Sequence, residues 1–540
     1  MDRNLAENKR RKGVDNLKSW LKMIKDLTIR PHVRKVRKSP ALSIDQERDQ
    51  PLSSQRIREE LEKSSDIIFR EFYLRADQET TCLLAVVDGL IDKALLNQFI
   101  LKVLMVDMPV DPDFNKFTGK NIVDNVLNFL APANEVKKIT KMGEAIDSIL
   151  SGDAVLFFEG FQEALHIGAR GWASRAVSEP QVESSIRGPQ EGFTETLRTN
   201  TSLLRRRIKH PSLRIVSLKI GELSKTDVVV CYVEKVVNSD VLSEVLQRLS
   251  KVEIDGVVAG DYLEEMIEDA PYSPFPTIYH TERPDVIAAN LLEGRVAIMT
   301  DGTPTVLMVP ITLSKLMQVS EDYYERAMIT SLVRMIRYLG AVISVLAPSL
   351  YIAVTTFHQE ILPTSLAMSI AAGREGVPFT ALIEALLMTL TLEILQEAGL
   401  RLPKPVGQTI GIVGALVIGD AAVKASLVSP LMVIVIGITA VASYAIPAYD
   451  LGIAIRLIRY PLMFLAGSMG FYGLGIGLYA GLIHLLSLRS FGVPYLSPIA
   501  PLRIRALLQD TFVRAPWWAM KKKPKLIDVE DPNSGSGGTK

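Results

Sequence analysis

Cysteine is nearly missing from this chain: there are two in 540 residues, Cys82 and Cys231, each inside an apolar run. With no CxxC and no mixed His/Cys ligand spacing, neither a disulfide nor a zinc site is expected, and both thiols read as small buried hydrophobes. The first 65 residues lack an apolar stretch, so no cleavable signal peptide is expected and the soluble part is placed in the cytoplasm. The region before Glu321 also lacks a phosphate-binding glycine loop, HExxH, GxSxG or a nucleophile–base pairing. No cofactor is expected, and nothing positive points to an enzyme. Net charge is missing too, with 61 Lys/Arg against 60 Asp/Glu. That balance is only global. Residues 1–40 hold 13 basic residues against four acids, and Lys18–Leu27 reads as a short basic amphipathic helix with Trp20, Leu21, Ile24 and Leu27 on one side. Its two readings are a solvated tail and a segment docked on an anionic membrane surface.

What the chain does have is long apolar runs. Tyr338–Phe357 and Pro430–Tyr449 each carry no charge over 20 positions, and Tyr460–Leu488 is longer still, with His484 its one group titrating near neutrality. A hydrocarbon layer of roughly 30 Å needs about 20 apolar helical residues, and a lone span in lipid satisfies its backbone only as a helix. The expectation is an all-α polytopic transmembrane domain over 321–489. Arg326, Arg334 and Arg337 before the first run predict a cytoplasmic start. Tyr460–Leu488 exceeds one simple crossing and centres on FYGLGIGLYAG, so a break or re-entrant hairpin is expected there, with four full crossings elsewhere.

The preceding part reads as two α/β subdomains, 66–209 and 210–320, after a basic tail over 1–65. Cys82–Val87, Ala154–Phe158 and Asp227–Val233 are expected strands, and Asn238-Ser239-Asp240 is capping chemistry for a helix over 241–249. Val87-Asp88-Gly89, Ile254-Asp255-Gly256 and Thr300-Asp301-Gly302 are expected to end strands with Asp-Gly turns, and their recurrence suggests that the two subdomains are related. After Gly188-Pro189, Glu191–Ile208 reads as a helix with Phe193, Leu197, Leu204 and Ile208 on one stripe. Its arginines lack interleaved aromatics, so nucleic acid is not the expected partner. Arg187, Arg198, Arg205 and Arg206 are candidates for contacts between subdomains or subunits. Residues 490–540 read as a proline-rich loop followed by a basic tail.

Phe379–Gly399 is an apolar helix carrying Glu384, Glu393 and Glu397. Carboxylates at membrane depth cost about 3 kcal/mol each, even on lenient insertion scales. Either the helix lies partly at the interface, or the acids line water, pair with cations or carry protons. Glu393 and Glu397 share a face, while Glu384 lies about half a turn away. In sequence, the nearby cations are Lys424, Arg401 and Lys404. Asp420 and Lys424 stand one turn apart and are expected to pair locally.

Four segments carry a resemblance to a known family: EPQVESSIRGPQEGFTETLRTNTSLLRRRIK (179–209), PFPTIYHTERPDVIAANLLEGRVAIMTDGTP (274–304), PSLYIAVTTFHQEILPTSLAMSIAAGREGVPF (348–379) and RSFGVPYLSPIAPL (489–502). They resemble signature segments of the spore germinant receptor A-subunit (GerA) family, over about residues 66–515. The resemblance implies a bacterial spore inner-membrane protein that takes part in nutrient-triggered germination. It implies a two-part cytosolic N-terminal domain, a permease-like B subunit, a lipoprotein C subunit, and homo-oligomerisation into an ion-conducting pore. Asp420 and Lys424 depart from the family pattern, in which an uncharged polar residue and a glutamate are common. Candidate ion-pathway residues are therefore Glu384, Glu393, Glu397, Asp420 and Lys424. The alternatives are a secondary transporter of a small solute or ion, and the paralogous channel component linked to dipicolinate release.

Overall fold

The structure, a computed structural model, describes residues 49–74, 81–107, 122–130, 135–171, 187–401 and 417–516. The expected helix at Lys18–Leu27, the loop cation Lys404 and the basic C-terminal tail lie outside the described residues.

The first unit is a five-stranded antiparallel sheet. Its strands are β1 (Ile67–Tyr73), β2 (Thr81–Val87), β3 (Val136–Ile139), β4 (Ala154–Phe158) and β5 (Ala164–Ile167), in the order β1-β2-β4-β5-β3. Strand β4 is buried along its whole length because both faces are covered. Ala154, Leu156 and Phe158 join one cluster and Val155 and Phe157 the other, as a period of two requires. Helix α1 (Ser54–Leu61) belongs to this unit: Ile57 and Leu61 are fully buried on the second face. The tail expected over 1–65 therefore gives way to folded chain before Ser54. Two further helices, α2 (Ile122–Leu130) and α3 (Met142–Leu150), cover opposite faces.

The second unit opens with helix α4 (Leu197–Arg207) and continues through β6 (Leu213–Ile220), β7 (Thr226–Val233), α5 (Ser239–Ser250), α6 (Gly260–Ile267), β8 (Tyr279–Thr281), α7 (Pro284–Leu291), β9 (Val296–Thr300) and β10 (Val306–Val309). Its strand order, β6-β7-β9-β10-β8, is that of the first sheet shifted by one repeat. The turns after β4 and β9 match as well, with Gly160 at φ +83° and Gly302 at φ +85°. In both, glycine takes a left-handed turn that a side chain resists.

Three expectations change here. The helix expected from Glu191 starts at Leu197, because the preceding amides bond elsewhere: Phe193 N donates to Glu282 O and Thr194 N to Asn200 Oδ1. The same helix packs into the core of the second sheet through Leu197, Leu203 and Leu204, so the unit boundary precedes it rather than falling at 209. Ile254-Asp255-Gly256 ends no strand; it is a loop between α5 and α6 whose carbonyls accept from Glu222 N and Leu223 N in the β6–β7 turn. Asn238 caps α5 as read, its side chain accepting from Asp240 N at 2.8 Å.

The helical part begins with α8 (Ala327–Thr356), followed by α9 (Thr364–Arg374), α10 (Ala381–Arg401), α11 (Pro430–Tyr444) and α12 (Tyr449–Ser487). Of the described helices, α8 and α12 are long and apolar enough to cross a membrane. Helix α8 starts at the α/β region, and its contacts give the direction of the others. Tyr351 near its distal end meets Ser429 at the head of α11, while Gly340 near its proximal end meets Ala442 and Ala445 at the foot. Helix α10 also descends, from Glu384 beside Ser429 to Gln396 beside Tyr444. The chain is back at the distal end by Ser426, near Gly376. Helix α11 stops at Tyr444 instead of running to Tyr449, because Pro447 lacks the amide to extend it.

Helix α12 does not run straight. At 39 residues it would be about 58 Å long as one rod, yet both its ends touch the second sheet unit. Asp450 lies 3.2 Å from His280, and His484 lies 2.8 Å from Ser273. The chain reverses at Gly470 (φ 60°, ψ −137°), a conformation open essentially to glycine. A Cβ on Gly477 would lie 2.5 Å from Leu462, and one on Gly473 2.1 Å from the Leu465 carbonyl, so two limbs pack face to face. Gly470 sits against His358 beyond the distal end of α8. The break expected in 460–488 is thus a helical hairpin with its tip at Gly470.

The segment after α12, expected to be a loop, is a clasp on the second unit. Ser490 Oγ donates to Thr277 O and accepts from Ile311 N, Leu313 N donates to Tyr495 O, and Tyr495 is fully buried. The core of the second sheet continues through Ile446, Leu451, Ala454 and Leu488 into the helices.

Candidate functional site

Local sequence puts the three acids on α10, and packing decides their surroundings. Glu384 is fully buried. Its Oε2 accepts from Ser429 N at 2.9 Å, and its Oε1 lies 3.1 Å from the Arg374 guanidinium. Ser429 in turn caps α11, accepting from Met432 N. A carboxylate at the head of a helix meets the positive end of its dipole, and the arginine offsets the desolvation that makes a lone buried charge prohibitive. Glu384 therefore ties α9, α10 and α11 together.

Glu393 is about a quarter exposed and lies 3.0 Å from Arg456 on the first limb of α12; the same guanidinium donates to Gln396 Oε1. Glu397, one turn further, is exposed. Asp420 and Lys424 form the expected i,i+4 pair at 2.6 Å, both largely exposed. The partners expected for these acids, Lys424, Arg401 and Lys404, are not the ones used by Glu384 and Glu393. Arg456 stands 63 residues from Glu393, a pairing that linear reading cannot see, whereas Arg374 lies closer to Glu384 in sequence than any of those three cations. The signal available was the pair of arginines inside IAIRLIRYPLMFL, where helix continues through the charges. The second of them, Arg459, is also buried: Nε donates to Ser344 O and Nη2 to Ser344 Oγ, both at 2.8 Å, joining α12 to α8.

The arginine segment occupies the seam between the sheet units. Arg205 is fully buried and makes a two-pronged contact with Asp66 of the first unit, at 2.9 and 2.8 Å, while Nη1 donates to Leu213 O. Arg198 lies 3.4 Å from Asp88, also in the first unit. Arg206 lies 3.4 Å from Glu191, and Arg187 reaches Glu325 just before α8, at 3.3 Å.

A further charged knot, not read from the sequence, lies at the foot of α8. Arg334 bonds Asp322 (2.8 Å) and Asp510 (2.9 Å), Arg337 bonds Asp322, and Tyr323 OH donates to Asp510 at 2.8 Å. Burial pushes the Asp510 carboxyl up despite the nearby cations and lowers Lys315. Beside this knot a cavity of about 1560 Å³ opens between the second sheet unit and the helices. His280, Lys315 and Tyr324 line its α/β side, and Leu392, Ile436 and Ala440 its helical side. Burial also pushes the Cys82 thiol up to about 12, as befits an inert core residue.

These features define a class: a membrane protein whose two-sheet α/β region is fastened to an apolar helical bundle by buried arginine–carboxylate contacts. Comparison with known proteins narrows it. Residues 55–526 match the family described as Bacillus/Clostridium GerA spore germination protein. "Spore germination protein KA" of Bacillus subtilis (strain 168) is 43% identical over 474 residues, covering 88% of this chain and 86% of the relative. "Uncharacterized membrane protein YfkQ" of the same organism is 43% identical over 488 residues, covering 89% and 93%. The crystal structure of the N-terminal domain of the A subunit of the Bacillus megaterium spore germinant receptor GerK3 is 34% identical, with a TM-score of 0.38 over 47% of this chain and 92% of that one. The chain belongs to the GerA spore germination protein family, the A subunits of germinant receptors, which are not enzymes.

Proposed function

We propose that this A subunit acts in the spore inner membrane as one subunit of an oligomeric, ligand-gated cation channel, assembled with a permease-like B subunit and a lipoprotein C subunit. In this reading the α/β region is cytosolic; Arg326, Arg334 and Arg337 at the foot of α8 support that orientation. The observation that carries the channel reading is the division of labour along α10. Glu384 is buried with an internal cation, whereas Glu393 and Glu397 lie one turn apart on surface that is not fully covered within one chain. Symmetric assembly places such acids in a ring around water, where a negative potential concentrates cations. Glu393 is the first choice for the pore, and its pairing with Arg456 suits a side chain released when the pore opens.

The test is the set Glu384→Gln, Glu393→Gln and Glu397→Gln in spores, reading nutrient-triggered release of monovalent cations at measured protein levels. Glu393→Gln or Glu397→Gln is expected to lower release at normal protein level, while Glu384→Gln lowers the protein level itself. Unchanged release and selectivity in all three at normal levels removes the acidic-pore reading.

A further inference from the structure

The hairpin α12 stands on the second sheet unit by two feet, and the feet differ chemically. At the second, His484 Nε2 lies 2.8 Å from Ser273 Oγ. A hydroxyl both donates and accepts, so this contact persists in either protonation state of the ring. At the first, His280 Nδ1 on β8 lies 3.2 Å from Asp450 at the start of α12 and 3.9 Å from Glu264 on α6. Among the described residues, the ring's ion-pair partners are both acids. The charged groups acting on Glu264 are His280, Asp450, Asp261 and Glu268, and those acting on Asp450 are His280 and Asp261. No lysine or arginine is among them. His280 and Asp450 both line the large cavity, which gives protons a route to the site.

We propose that Glu264, His280 and Asp450 form a proton-operated latch that holds the first limb of the α12 hairpin on the second sheet unit, closed while the cluster holds its protons and released when it loses them. With the imidazolium present, the ring's charge pairs with Asp450 on α12, and Glu264 on α6, whose carboxyl burial holds protonated, adds no opposing charge. Without it, Glu264 on α6 and Asp450 on α12 face each other across a neutral ring, and like charges push α6 and α12 apart. Burial supports the same sign by pushing the Glu264 carboxyl up to about 7. A carboxyl raised in the folded protein binds its proton more tightly there than in the unfolded chain. Its cost to the closed state therefore grows as pH rises from the ordinary carboxylate range through about 7. The Ser273–His484 foot is unaffected and acts as a pivot. Release thus tilts the first limb, which carries Arg456 and Arg459, relative to α10 and α8.

The experiment uses the full-length protein in lipid nanodiscs, with spin labels read by double electron–electron resonance across a pH series of about 5.5 to 8.5. Met266→Cys with Ile453→Cys spans the latch, and Met266→Cys with Leu486→Cys spans the pivot; all three positions are exposed and both native thiols are buried. The latch distance is expected to lengthen with a midpoint near neutral pH while the pivot distance holds. His280→Gln should show the long latch distance down to lower pH, and Glu264→Gln should keep the short distance to higher pH, so the two substitutions act in opposite directions. A latch distance that does not change with pH overturns the proposal. So does an equal change at the pivot, or a pH response that both variants share with the parent protein.

Discussion

Arg205 and Arg198 sit on one helix and reach the same neighbouring unit, yet burial separates their energetics. Arg205 and Asp66 are fully buried and joined by two hydrogen bonds. Arg205→Ala strands a carboxylate in the seam and should cost about 3–5 kcal/mol, read as a loss of thermal stability of the purified protein. Replacing both partners with apolar residues of similar volume should restore most of that loss, because the desolvation cost disappears with the charges. Arg198 is half exposed opposite Asp88, and Arg187 is more exposed opposite Glu325. Each such pair contributes about 0–1 kcal/mol. Arg187→Ala and Arg198→Ala should therefore leave folding intact, and their effect, where this segment faces another subunit, is a reduced yield of assembled receptor from membranes. Normal yields in both would remove the subunit-contact role. The arginine run itself is plain in the sequence. Which arginine is buried is not, because burial depends on Asp66, 139 residues earlier in the chain.

At the scale of elements, apolar run length and punctuation carried most of the legible information. The β4 and β7 strands, the Asn238 cap, the long α8 and the broken α12 all follow from local pattern. What local pattern could not supply was depth and partnership. Pro430–Tyr449 reads as a full span by composition, but its helix ends where Pro447 withholds an amide. Arg456 and Arg459 look like a loop flanking that span until the helix is seen to run through them. Glycine content marked α12 as breakable without singling out Gly470. That assignment is testable by contrast. Gly470→Val forces a branched side chain into φ 60°, ψ −137° and places its Cβ 2.7 Å from His358. Backbone strain alone is about 1–3 kcal/mol, and membrane levels of the protein should fall. Gly475→Ala, at a glycine with nothing within 4 Å, should be tolerated and favour the helix by about 0.5–1 kcal/mol. Equal behaviour of the two variants would exclude Gly470 as the tip.

For the molecule as a whole, the repeated strand order indicates two copies of one architectural unit put to different uses. The first copy keeps its core to itself. The second shares its core with Ile446, Leu451 and Leu488, so its folding and that of the helices are coupled. Ser490 is the hydrogen-bonding centre of that junction. Ser490→Ala leaves Thr277 O and Ile311 N without their buried partner and should cost about 1–3 kcal/mol. The expected readout is earlier proteolytic separation of the C-terminal segment from the α/β region; unchanged cleavage rates and thermal stability would show that Ser490 does not hold the clasp.

The clasp also turns the bundle into a closed loop. Asp510 meets Arg334 across 176 residues of chain, and everything from α8 to α12 lies within that circuit. The entropy of closing a circuit depends only logarithmically on its contour, about 0.6 kcal/mol for each doubling. A few residues added inside it, for instance in the exposed turn at Glu375–Gly376, lengthen the contour by a negligible fraction, so a short tag there should leave the knot closed. Cutting the circuit at the clasp instead leaves Arg326 as the one covalent link between helices and sheets, with the two feet of α12 and the shared apolar core as the contacts that remain.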